Sequence, residues 1–180
     1  MTILVDEAIW AWRGRRWAHL VSDSDPDELH DFAHRLGVPY LAFQGDHYDI
    51  HTELRRQAIG AGARPVTGRE VVVALRDAGL RRRGPVDPWQ WRWRRRVTSP
   101  RHDPLPEAVD ATVGAVIRRF ATGSAPVEVA RAQRWAESVL VVSTPAQVAI
   151  EAGLVAVDRT TTLHRSRGER GTYAEWRSVG

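Results

Sequence analysis

The 180-residue chain has no cysteine and no lysine. Without cysteine there is no disulfide framework, no thiolate metal site and no thiol nucleophile. Without lysine, all 26 basic side chains are arginines, a bias that a GC-rich genome would also produce. No apolar run approaches the ~20 residues of a membrane-spanning helix, and no signal-peptide pattern precedes the first apolar run. The expectation is a soluble, cytoplasmic protein with no membrane span. Also missing are a Walker phosphate loop, a dinucleotide-binding glycine fingerprint and a GxSxG elbow, so the common nucleotide-binding and serine-hydrolase signatures do not apply. There is no internal repeat and no low-complexity tract.

The charge that is present is unevenly placed. Residues 1–80 carry 9 Arg against 12 Asp and Glu, a net −3. Residues 81–96 carry 7 Arg against 1 Asp, a net +6, and residues 97–180 carry 10 Arg against 9 acids, a net +1. The basicity is therefore one segment rather than a property of the whole surface.

Thr2-Ile3-Leu4-Val5 reads as a buried strand ending at Asp6, residues 8–16 as a loop, and Trp17-Ala18-His19-Leu20-Val21 as a second strand. Asp25-Pro26-Asp27-Glu28 opens a helix: Asp25 can cap, Pro26 suits the first turn, and the acids favour the positive end of the dipole. Leu29, Phe32, Ala33 and Leu36 give that helix its apolar stripe and Gly37 stops it. Residues 38–43 predict a third strand, residues 52–61 a helix and residues 63–66 a short extended piece. Thr67 and Glu70 form a capping box ahead of a helix over 71–80. Strands alternating with helices predict an α/β fold with a small, mostly parallel sheet and flanking helices.

Three regions are expected: an α/β domain over residues 1–80, a Trp/Arg- and Pro-rich connecting segment over 81–106, and a C-terminal α+β region over 107–180. In the last, residues 107–121, 127–136 and 145–152 predict helices and 138–142 a strand. Residues 154–157 with 161–164 predict a hairpin, followed by a polar loop carrying His164, Arg165, Arg167, Glu169 and Arg170.

Candidate chemistry gathers at two places in the first region. Asp6 and Glu7 end the first strand, where carboxylates are well placed for a metal or a metal-bound phosphate. They can equally cap a loop or pair with Arg13, Arg15 or Arg16. Phe43-Gln44-Gly45-Asp46-His47-Tyr48-Asp49 crowds two carboxylates and an imidazole around a turn. Asp6, Asp46 and Asp49 can hold Mg²⁺, Mn²⁺ or Zn²⁺, with Asp6, His47 and Asp49 as catalytic groups and His47 the general base or a fourth ligand. The alternative is structural, with Asp46 serving the Gly45 turn and Asp49 capping the next helix. His19, Gln44 and Tyr48 are further candidates. His30 and His34 have zinc-helix spacing but no HExxH glutamate, and read as a solvated pair.

Two aromatic-basic stretches suit phosphates and bases: Trp10, Trp12, Arg13, Arg15, Arg16 and Trp17, and the run of residues 89–96 with Trp91, Arg92 and Arg94. In an extended chain Trp89, Trp91 and Trp93 share one face and Gln90, Arg92 and Arg94 the other, which also fits a packed strand or, less well, an anionic membrane surface.

The ordered set Leu4-Val5-Asp6, Arg13-Gly14-Arg15-Arg16-Trp17-Ala18-His19-Leu20, Asp27-Glu28-Leu29-His30, Phe43 to Asp49 and Arg69-Glu70-Val71 resembles the bacterial and phage family known as domain of unknown function 4031. The resemblance covers roughly the first 80 residues. It implies a compact module with no activity to carry over, and its occurrence in phage favours a nucleic-acid or nucleotide role. Two functions are expected from different classes. One is a metal-assisted phosphoester hydrolase acting on nucleic acid or a phosphorylated small molecule. The other is a non-catalytic nucleic-acid-binding or adaptor module using the Trp/Arg stretches.

Overall fold

Strand β1 (Ile3–Val5) is buried along its whole length and lies at the centre of the N-terminal half. A computed structural model describes residues 2–84, 86–98, 125–146, 161–168 and 171–179, with 114 and 118 helical. It divides into two units, Met1–Val86 and Asp87–Gly180.

In the first unit β1 continues through a short loop into β2 (Trp10–Trp12), which turns back into the long β3 (Arg15–Ser22). The turn places Arg13 at φ 49° and Gly14 at φ 73°, so both occupy the left-handed region that a two-residue hairpin requires. Helix α1 (Pro26–Arg35) begins as expected, with the Asp25 side chain accepting from the Asp27 amide, and Gly37 follows it at φ 75°. Next come a 3₁₀ turn at Tyr40–Ala42, β4 (Tyr48–His51), α2 (Thr52–Gly60), β5 (Arg64–Pro65) and α3 (Gly68–Asp77). The Thr67–Glu70 capping box is formed in both directions.

The sheet order is β2-β3-β1-β5, with β4 on β3. Only β1 and β5 are parallel; β1/β3, β2/β3 and β3/β4 are all antiparallel. The expected mostly parallel sheet is therefore wrong. The connection from β1 through β2 into β3 contains no helix, and a parallel return needs a crossover of a dozen or more residues. The third strand was also misplaced. Pro39 leads into the 3₁₀ turn, closed by the Phe43 amide on the Tyr40 carbonyl (2.9 Å), and the extended segment comes later, at β4. Residues 8–16, expected as a loop, hold β2 and the start of β3.

Leu4 and Val21 face each other across β1 and β3 and pack with Val71 and Leu75 of α3. This fixes α3 over the same sheet face that carries His19, because residues two apart on a strand share a face. His30 is not solvated: its ring meets Tyr40, Phe43 and Tyr48 edge-on, and its Nδ1 lies 2.9 Å from the Tyr48 hydroxyl.

Among the described residues, the second unit holds a five-stranded antiparallel sheet, ordered β6-β7-β8-β10-β9. Its strands are β6 (Gln90–Val97), β7 (Val127–Arg134), β8 (Glu137–Thr144), β9 (Thr161–Gly168) and β10 (Gly171–Val179). Residues 127–136 were expected to be helical because Ala, Arg, Gln and Glu are good helix formers; pairing on both sides overrides that preference. Residues 161–168 pair with β10, so His164, Arg165 and Arg167 lie on a strand and not in a loop. The expected elements at 154–157 and, for the most part, 107–121 and 145–152 fall outside the described residues, as do Glu169 and Arg170.

The tryptophan-arginine run is the edge strand β6, with a bulge between Trp91 and Trp93 that interrupts strict alternation. Arg92 donates to Gln133 (2.6 Å) and Arg94 to Glu128 (2.6 Å), both on β7, while Trp91 stays exposed. Among the described residues no helix is long and apolar enough to cross a membrane.

Leu75 is 1 % exposed at the centre of the α3 contact. Leu75→Ala is expected to lower unfolding free energy by about 2–5 kcal/mol through lost burial and a residual cavity. Urea denaturation followed by tryptophan fluorescence measures it.

Candidate functional site

The register between β3 and β4 sets His19 directly opposite Asp49 on one face of the sheet. Directly opposed residues have their Cβ atoms about 5 Å apart, so the two polar groups meet without any loop to bring them together. Tyr48 and Ile50 point the other way and are buried. Trp17 opposes His51 in the same register, and the two rings meet edge-on at 6.0 Å.

Asp6 lies just beyond β1 with 2 % exposure. Its backbone amide donates to the His19 carbonyl (3.2 Å), continuing the β1/β3 ladder by one residue. Its carboxylate holds His19 twice: Oδ1 accepts from the backbone amide (2.6 Å) and Oδ2 lies 2.6 Å from Nδ1. A carboxylate can only accept, so Nδ1 is the donor and Nε2 faces outward. Arg55 of α2 donates to the Asp6 carbonyl, tying the second helix to the same point.

A second pair repeats this arrangement on a different scaffold. The Gln44 amide donates to the His47 carbonyl (2.8 Å), and Gly45 at φ 98° closes the turn between Phe43 and Tyr48. Asp46, 7 % exposed, lies within that turn. Its Oδ1 accepts a hydrogen bond from Nδ1 of His47 (2.6 Å), while Oδ2 accepts from the Arg81 guanidinium (3.0 Å) and the Arg82 amide (2.9 Å).

The outward nitrogens of both histidines converge on Asp49. His47 Nε2 lies 3.5 Å from Asp49 Oδ1 and His19 Nε2 3.9 Å from the same oxygen. The two imidazoles are T-shaped, with centroids 5.1 Å apart, and Trp10 of β2 meets His19 edge-on at 5.9 Å. Ligand atoms of His19, His47 and Asp49 all lie within 4.8 Å of one another. Burial opposes charge on His47, but the Asp46 and Asp49 carboxylates outweigh it and raise its pKa from 6.5 to about 9. Burial likewise works against the Asp49 anion, and the bond to His47 with the charges of His47 and His19 still holds its pKa below the usual range.

A cleft of about 340 Å³ opens on this cluster, bounded by Asp6, Glu7, Trp10, His19, His47 and Arg81 among others. Of the other residues singled out by sequence, Gln44 lines a neighbouring cleft, while Tyr48 is in the core bonded to His30. Trp17 donates to the Trp12 carbonyl (3.1 Å), and the Arg13 guanidinium lies 4.3 Å over the Trp12 ring. Arg13, Arg15 and Arg16 are on the β2–β3 hairpin and are not in the lining of either cleft. Trp91, Arg92 and Arg94 belong to the other unit. The sequence reading missed Trp10 against His19, and also Arg55, Arg81 and Arg82 as supports. Arg81 and Arg82 carried a signal only as part of the basic run.

Fold and site together define a small mixed-sheet α/β domain whose polar centre is two histidines, each held by a buried aspartate and facing one shared carboxylate. Residues 3–78 match the family model described as Protein of unknown function (DUF4031), in keeping with the resemblance over the first 80 residues. No curated protein and no solved structure matches the chain.

His47 is expected to titrate near pH 9 by NMR, and Asp46→Asn to bring it down toward 6.5. Because the folded pKa is raised, the stability gained from charged His47 is complete below about pH 6.5 and is lost as pH rises through about 9. A flat unfolding free energy across that window contradicts the assignment.

Proposed function

We propose that the N-terminal unit binds one divalent cation through His19 Nε2, His47 Nε2 and Asp49, and uses it to hydrolyse a phosphoester. The observation that carries this is the paired orientation: each imidazole donates a hydrogen bond from Nδ1 to a buried carboxylate and turns its other nitrogen to the same oxygen. A carboxylate behind a histidine fixes ring and tautomer and raises ligand basicity, as is usual at metal centres. Two atoms bound to one ion at about 2.1 Å can be no more than about 4.2 Å apart, and both His–Asp49 separations meet that limit. Two histidines and one carboxylate leave positions for water and substrate.

In this reading Asp6 and Asp46 orient the ligands instead of binding the ion. With an ion bound, His47 would give up its Nε2 proton to solvent, since the cation would stand where that proton lies against Asp49. A bound ion supplies a water of lowered pKa and offsets phosphate charge. Arg81, bonded to Asp46 at the edge of the cleft, is positioned to meet a phosphate oxygen. Arg13, Arg15 and Arg16 on the hairpin would meet substrate beyond the cleft. Zn²⁺ and Mn²⁺ suit this ligand set better than Mg²⁺, which prefers all-oxygen sites.

The second reading, a non-catalytic nucleic-acid-binding module, draws on the exposed Trp91 of β6, a ring on which a base can stack. One assay separates the two: labelled single-stranded DNA, duplex DNA and RNA incubated with the protein, with and without Mn²⁺. Metal-dependent cleavage supports the hydrolase, and a salt-sensitive shift without cleavage supports the binding module.

His19→Ala and Asp49→Asn are expected to abolish Co²⁺ binding followed by visible absorption. Asp6→Asn is expected to weaken it by about 10–100-fold, since the amide donates to Nδ1 and forces the proton onto Nε2. Equal loss in all three would make Asp6 a direct ligand.

A further inference from the structure

Beside the histidine cluster lies a second and larger cleft, of about 650 Å³, whose wall includes Arg76, Arg81, Arg82 and Arg83. His47, Val72 and Arg81 line both clefts, so the two adjoin at the cluster. From this we infer that the arginine-lined cleft is a subsite for a second phosphate, adjacent to the one presented to His19, His47 and Asp49. The substrate class is then a nucleotide phosphate chain carrying at least two phosphates. The inference rests on the phosphoester reading for what the neighbouring centre does, but the anion site stands on its own residues.

The lining of this cleft carries more positive than negative charge, which suits an anion. Its lining holds four guanidinium groups and one carboxylate, Asp46. That carboxylate is already bonded to His47 and Arg81. The C-terminal end of α3 adds roughly half a negative charge and falls well short of the surplus. Arg76 also lies 3.2 Å from Asp77, an exposed pair of the kind that contributes little.

The backbone that carries these groups is fixed. Gly79 at φ 70° ends α3, the Leu80 and Arg81 amides both donate to the Leu75 carbonyl (2.9 and 3.0 Å), and the Arg82 amide donates to Asp46. The guanidinium groups are thus hung from a tied turn joined to the same aspartate that orients His47. Planar forks of this kind bind phosphate oxygens in pairs and discriminate by geometry as well as charge.

The first cleft differs in character. There Ile9 and Trp10 are exposed above the first cleft, with Val71 and Leu75 beneath. A substrate with an aromatic base at one end and phosphates at the other matches this polarity: base toward Trp10, attacked phosphate at the histidines, next phosphate on the arginines.

The test uses Arg76→Glu and Arg83→Glu in the full chain, since neither residue touches Asp46, His19 or His47 in any hydrogen bond described above. Calorimetry with sodium pyrophosphate, on metal-free protein and on protein loaded with Mn²⁺, reads the subsite without turnover. Each variant is expected to weaken pyrophosphate binding about ten-fold or more and to lower its salt dependence, while Co²⁺ absorption stays unchanged. A thymidine dinucleotide with a 5′-phosphate is expected to bind more tightly than the same dinucleotide without one, and only the former to respond to the variants. Thymidine diphosphate in parallel shows whether a free nucleotide or a chain is preferred. Pyrophosphate binding that is absent, or unaltered in both variants, overturns the subsite. Variant-sensitive pyrophosphate binding without Co²⁺ binding retains the subsite and removes the metal reading instead.

Discussion

The Asp6 carboxylate is almost wholly removed from water, and its two bonds to His19 are what make that burial tolerable. A buried carboxylate without partners would cost several kcal/mol. Here the partners come from the backbone and ring of one residue on the adjacent antiparallel strand, so the polar contact also locks the end of the β1/β3 pairing. Other features depend on it: the direction of the His19 ring, the outward Nε2, and the alignment of that nitrogen with Asp49 across β3/β4. The Asp46–His47 pair achieves the same result from a glycine turn, held from behind by Arg81 and Arg82. Two unrelated pieces of backbone thus present two equivalent imidazole nitrogens to one oxygen.

That arrangement links packing to chemistry. The Leu4–Val21–Val71–Leu75 contact holds α3 against the sheet. The C-terminal end of α3 in turn delivers Arg81 and Arg82 to Asp46, and the remaining arginines to the adjoining cleft. The hydrophobic contact and the charged wall are therefore two ends of one element. Loosening the helix would disturb His47 through Asp46 without altering any residue at the cluster. Polar site and basic segment, which look separate along the chain, are neighbours in the fold.

Much of this was legible in the sequence, for local reasons. Asp25-Pro26 and Thr67–Glu70 are short-range signals, and both helices start where they indicate. Asp6 and Asp46–Asp49 stood out by residue type and by their place at a strand end and a turn, and the fold gathers them around His19 and His47. What could not be read was pairing. Strand direction depends on which segments meet, and the brief 3₁₀ turn at Tyr40–Ala42 moved the third strand past the turn it was expected to precede. With it went the roles within the site. As a turn residue Asp49 is one acid among three, whereas as a strand residue opposite His19 it is where both histidines point. His19, ranked behind the acids by sequence, becomes central only through that register. The alanine- and arginine-rich β7 shows the same limit, since its helical composition is outweighed by partners on both sides.

The most direct test of the centre is a crystal soaked in Mn²⁺ and measured for anomalous scattering. The account predicts a single strong peak in the first unit, within bonding distance of His19 Nε2, His47 Nε2 and Asp49, with Asp6 and Asp46 still bonded to the Nδ1 atoms behind them. A peak coordinated directly by Asp6 or Asp46, or no peak at the histidines after saturation soaking, would contradict it.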